Sequence, residues 1–91
     1  LAEFEVARGG KHGAALIPAD VLRPVIRAGA SAMLLLHNHP SGDPTPSQED
    51  LSLTRALRQA GGVVGIPLLD HIIVAARFGG HVSLQQRGVL E

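Results

Sequence analysis

Glycine and proline set the segment lengths of this chain. Eleven Gly and six Pro are spread through 91 residues, and both residue types weaken the interior of a helix or strand. Gly-Gly pairs stand at 9–10, 61–62 and 79–80. No apolar run is longer than that of residues 32–36, which falls far below the roughly 20 residues needed to cross a bilayer. The pattern predicts one small domain of short elements and no transmembrane helix.

Residues 4–8 and 11–17 flank the first Gly-Gly pair and read as a hairpin. Pro18 suits a first helical position, Val21, Leu22, Val25 and Ile26 recur at helical spacing, and Gly29 ends the run. Pro24 should kink that helix or loosen one turn. Residues 30–36 suit a strand buried on both faces. Thr45-Pro46-Ser47-Gln48 reads as a helix start, with Thr45 as N-cap and Gln48 closing a capping box. Leu53, Leu57 and Ala60 mark its buried stripe, and Gly61-Gly62 should stop it. Residues 63–66 and 68–76 read as strands interrupted by Pro67, and Gly79-Gly80 turn the chain into a strand over 81–84. Ser83 with Gln86 is a second capping pattern, for a last turn ending at Gly88. The expected order is β-β-α-β-α-β-β-β, a mixed α/β domain with a sheet flanked by helices.

Composition narrows the chemistry. Eight Lys plus Arg balance eight Asp plus Glu, which argues against a dedicated nucleic-acid or membrane-surface binder. There is no Cys, Trp or Tyr and only two Phe. The core must be aliphatic, and disulfides, thiolate metal sites and a Cys nucleophile are excluded. Metal or acid–base chemistry falls to five His and eight acids. Residue 1 is Leu and no signal peptide is legible. The expectation is a cytoplasmic domain spanning 1–91, cut from a longer protein.

The informative stretch runs from His37 to Asp50. His37 and His39 are two apart at a strand end, so both imidazoles point to one side. Asp50 lies three residues before Leu53 and seven before Leu57, on the inward stripe of its helix. A carboxylate facing the core needs a partner. Ser47 is one turn earlier on the same side. Two imidazoles and one carboxylate leave a fourth tetrahedral position for water, as in catalytic zinc sites. Either Glu3 or Glu5, on one face of the first strand, could supply a general base.

The spacing His-x-His-x7-Ser-x2-Asp, met at His37, His39, Ser47 and Asp50, resembles the JAMM motif of MPN-domain metalloproteases. The longer string HNHPSGDPTPS, with LLDHIIV from residue 68 and SLQQRGVL near the end, resembles the bacterial RadC family over nearly the whole chain. The resemblance implies an MPN-like mixed sheet flanked by helices, with cytidine-deaminase-like layering. It implies one Zn2+ held by His37, His39 and Asp50. Ser47 would support the oxyanion, and Glu5, favoured over Glu3, would act as general base. Hydrolysis of a peptide or isopeptide bond in a peptide or protein substrate would follow. RadC proteins carry a further DNA-associated N-terminal region, absent here, so DNA enters as a partner only through it.

Simpler readings stand beside these. Ser47 could be only a helix cap and Glu5 a solvated strand residue; Asp43 is most simply a turn residue, with a supporting contact behind a metal ligand as its other reading. Asp70 and His71 place one side chain on each face of a strand, as satisfied polar groups or as support for a metal-bound histidine. His12 and His81 border glycines and suit loops, while Arg55 and Arg58 suit a solvated helix face. Asn38 points away from its neighbours, which argues against an HNH nuclease. The rival function is a non-catalytic zinc-binding interaction domain of a DNA-repair-associated protein; a nuclease is weaker, for want of a basic cluster. Sheet edges leave a homo-oligomer open.

Overall fold

The computed structural model describes residues 16–75 and 80–88. Five elements follow in order: α1 (Pro18–Arg27), β1 (Met33–Asn38), α2 (Gln48–Val64), β2 (Leu68–Ala75) and β3 (Gly80–Ser83). The sheet order is β1-β2-β3, with β1 parallel to β2 and β2 antiparallel to β3. Helix α2 is the crossover that a parallel pair requires. The architecture is α/β, a mixed sheet with two helices, as expected. The hairpin expected over residues 4–17 lies almost wholly outside the described residues. No described helix is long and apolar enough to cross a membrane.

Pro18 occupies the first turn of α1, and the Asp20 carboxylate reaches back to accept the Ile17 N–H at 3.1 Å. Pro24 sits inside the helix without ending it; it forfeits the single bond to the Asp20 carbonyl. Helix α2 differs from expectation at both ends. It begins at Gln48, with Ser47 rather than Thr45 as N-cap. Thr45 is held elsewhere, because Asp43 Oδ1 accepts both its N–H at 3.0 Å and its hydroxyl at 2.7 Å. At the other end α2 runs through Gly61-Gly62 to Val64 and closes on Gly65, whose φ of 77° is left-handed. The strand expected over 63–66 is therefore helix and cap. Gly61 is there for space: a Cβ would collide with the Ile66 carbonyl and touch the Met33 methyl. Ile66 N–H donates to the Gly61 carbonyl at 2.8 Å, folding the exit tightly under the helix.

Burial along β1 alternates. Met33 is buried, and Leu35 and His37 follow it toward α2. Leu34 and Leu36 face the other way and are 56% and 64% exposed, so this strand is not buried on both faces. The register shifts between Met33 and Leu34. That irregularity lets Leu68 and His71, three apart on β2, both point inward. From there His71 pairs with Leu35 and Ile73 with His37. The core is aliphatic, with Val21, Met33, Leu57, Ile66 and Leu68 at its centre. Ser83 caps the closing turn by accepting the Gln86 N–H at 3.2 Å. The turn ends on Gly88, also left-handed, without forming a helix.

Candidate metal centre

The carboxyl end of β1 and the amino end of α2 meet at one place. His37 is the fifth residue of β1, and His39 follows the strand, held by its N–H bond to the Val74 carbonyl at 2.9 Å. Two-residue spacing in extended chain puts both rings on the α2 side. They meet edge to face, with centroids 4.7 Å apart. Asp50 arrives from the first turn of α2, where the helix dipole favours a carboxylate. His37 Nδ1 lies 3.0 Å from Asp50 Oδ1, and His39 Nε2 lies 3.0 Å from Asp50 Oδ2. One ligand atom from each of the three residues falls within 4.8 Å of the others.

Asp50 and Ser47 close a reciprocal capping box. Ser47 Oγ accepts the Asp50 N–H at 3.1 Å, and Asp50 Oδ2 accepts the Ser47 N–H at 2.8 Å. The same carboxylate thus caps a helix and faces two imidazoles. Burial alone pushes the Asp50 carboxyl up. The Ser47 hydrogen bonds and the charges of His37 and His39 outweigh it, and the group stays below the ordinary carboxylate value. The cap occupies a lone pair of Ser47 Oγ. The hydroxyl also stands beside the Asp50 carboxylate and helps to hold its pKa down.

His39 decides what the cluster wants. Its Nδ1 lies 2.9 Å from the Asp43 carbonyl oxygen, which can only accept. Nδ1 therefore carries the hydrogen, and in the neutral ring Nε2 carries a lone pair. That lone pair points at a carboxylate oxygen 3.0 Å away. Two lone pairs at this distance need a positive charge between them, a second proton on the ring or a cation. His37 has no such constraint and can face Asp50 as a neutral donor. A histidine whose far nitrogen donates to a backbone carbonyl is the usual dress of a metal ligand. The residues therefore fit a divalent ion of the borderline type that imidazole and carboxylate bind. Exposure is graded across them: the side chain of His37 is 36% exposed, that of His39 17% and that of Asp50 6%.

Beneath His37 lies His71, fully buried on β2. The two rings are nearly parallel, 20° apart, with centroids at 5.8 Å. His71 does not hydrogen-bond to His37; its Nδ1 is 2.7 Å from the hydroxyl of Thr54, which also donates to the Asp50 carbonyl at 2.6 Å. Burial, and then the charge of His37, bring its pKa down to about 4. Asp70, on the opposite face, accepts from the N–H groups of His71 and Gln85 and from the Ser83 hydroxyl. It is a satisfied clamp between β2 and the closing turn. His81 sits exposed on β3, opposite Val74, rather than in a loop. Arg55 and Arg58 are exposed on α2 as expected.

The structure brings together His37, His39, Ser47 and Asp50. Glu3, Glu5 and His12 lie outside the described residues. Two features escaped the sequence reading: that Asp43 supports His39 through its main chain, and Thr54. The Asp43 carbonyl is a backbone group and leaves no mark on residue type. Thr54 did leave one, because it lies four residues after Asp50 on the stripe that also buries Leu57.

The RadC-like JAB domain family matches residues 1–89. The chain belongs to the RadC family. A UPF0758 protein of Syntrophotalea carbinolica is 48% identical over 90 residues, covering 99% of this chain and 39% of that protein. UPF0758 protein GSU0386 of Geobacter sulfurreducens is 48% identical over 82 residues, covering 89% and 36%. A UPF0758 protein of Thermotoga maritima is 52% identical over 73 residues, covering 80% and 32%. The chain thus spans about two fifths or less of the length of the relatives it matches.

Proposed function

We propose that this RadC domain is a zinc-dependent hydrolase of amide bonds, acting on a peptide or isopeptide link. The observation that carries the reading is the convergence of His39 Nε2 and His37 Nδ1 on the Asp50 carboxylate, with the far nitrogen of His39 held by the Asp43 carbonyl. His37, His39 and Asp50 would hold the ion. When bound, such an ion acidifies water and polarises a carbonyl.

The chain's own residues supply the rest. His39 is fixed in its tautomer by Asp43, and Asp50 is fixed by the N–H of Ser47. The hydroxyl of Ser47 would turn its hydrogen toward a developing oxyanion. Glu5, assigned by its place in the sequence and by family resemblance, takes a proton and returns it to the leaving amine. The exposed flank of His37 is the side from which a substrate reaches the cluster.

The test is hydrolysis of fluorogenic peptides and of a Lys isopeptide by the zinc-loaded chain, with and without chelator. Turnover that chelator abolishes and zinc restores is the expected result. Glu5→Gln should keep the metal and lose turnover. A chain that binds zinc but hydrolyses neither link, and whose partner capture ignores Glu5→Gln, would instead be the interaction domain of a DNA-repair-associated protein.

A further inference from the structure

Among the described residues the fully buried side chains are aliphatic except for a polar pair, Thr54 and His71. The direction of their hydrogen bonds follows from one fact. The Asp50 carbonyl can only accept, so the single hydroxyl hydrogen of Thr54 goes there. Thr54 Oγ1 must then accept from His71, whose Nδ1 is the donor. The remaining nitrogen, Nε2, keeps a lone pair buried without a hydrogen-bond partner among the described residues.

A core built for stability alone would not contain this arrangement. Valine has the shape of threonine, and an apolar ring fills the place of imidazole without an orphaned acceptor. Local rules are broken in this way at functional positions. The pair also connects the candidate ligands. Thr54 is tied to the backbone of Asp50, and the His71 ring lies parallel beneath that of His37. One unit on α2 and β2 therefore touches a ligand on α2 and a ligand on β1.

We infer that Thr54 and His71 are positioning residues: the relay from His71 Nδ1–H to the Thr54 hydroxyl to the Asp50 carbonyl holds Asp50 ready for the ion, and the parallel His71 ring backs His37. The inference rests on the metal-site reading above. Neither residue touches the ion or the substrate. Ligand orientation from behind is commonly worth 10–100-fold in metal affinity.

The experiment measures Zn2+ affinity by chelator competition on the intact chain, alongside the melting temperature of the metal-free protein. Thr54→Val should weaken Zn2+ binding about 10–100-fold, while Thr54→Ser, which keeps the hydroxyl, should stay close to wild type. The double change Thr54→Val with His71→Phe removes the polar pair altogether. It should melt no lower than Thr54→Val while still binding Zn2+ weakly. Wild-type affinity in Thr54→Val or in the double variant overturns the inference. So does a double variant that fails to fold, because the pair would then be a structural element. Absence of Zn2+ binding by the wild-type chain would instead remove the metal-site reading itself.

Discussion

Ser47 is asked to do two jobs, and they can be separated. Its oxygen accepts the Asp50 N–H at 3.1 Å as the N-cap of α2. Its hydroxyl hydrogen is assigned to the oxyanion. Replacing a Ser cap by Ala costs about 1 kcal/mol. For a domain of this size each kcal/mol lowers the melting temperature by roughly 4–8 °C. Ser47→Ala should therefore melt about 4–8 °C lower in a calorimeter. Its zinc affinity should change little, because the larger of the two Ser47 contacts on the carboxylate comes from the backbone N–H, which Ala retains. Turnover, if supported by the hydroxyl, should fall about 100-fold or more. Ser47→Gly, a cap that costs only about a few tenths of a kcal/mol and has no side-chain donor, should restore most of the melting temperature and not the turnover. An unchanged melting temperature in Ser47→Ala would refute the cap. A loss of zinc affinity greater than tenfold would refute the division of labour.

Two further predictions concern the frame around the site. Gly61→Ala drives a Cβ into the Ile66 carbonyl, and overpacking of this kind costs about 1–3 kcal/mol; a denaturant midpoint equal to wild type would show that the α2 exit is looser than described. In the metal-free protein, His71 has a pKa of about 4 when folded against 6.5 ordinarily. The unfolded chain then binds the proton that the folded chain refuses, so stability is complete above pH 6.5 and is lost as pH falls toward 4. At about 1.4 kcal/mol per pH unit the loss is on the order of 3 kcal/mol. The depressed carboxyls of Asp50 and Asp70 add to it only below the carboxylate range. Urea titrations at several pH values with chelator present should show this slope, and His71→Phe should flatten it.

The site was more legible in the sequence than the frame that carries it. Strand alternation put His37 and His39 on one side, and helical spacing put Asp50 on the stripe of Leu57; both are periodicities that tertiary contacts reinforce. The helix ends were not legible, because each was decided by competition. Thr45-Pro46 is a sound cap signal, but Asp43 captured Thr45 and passed the cap to Ser47. Gly61-Gly62 is a sound stop signal costing about 1 kcal/mol per glycine, but packing against Ile66 and Met33 needs a residue without a Cβ. The run over residues 30–36 suggested burial on both faces, whereas Leu34 and Leu36 are exposed. Composition reports apolarity and not which face is covered. The Asp43 carbonyl, which fixes the His39 tautomer, is a main-chain group that no sequence pattern marks.

The most direct test of the whole account is the metal content of the purified chain. Elemental analysis after dialysis against trace zinc should return one equivalent of bound ion. Asp50→Asn, which keeps an oxygen for the Ser47 N–H but removes the charge, should lose it while remaining folded. A wild-type chain without stoichiometric metal, or an Asp50→Asn chain that keeps its ion, would contradict the reading of His37, His39 and Asp50 as a metal centre.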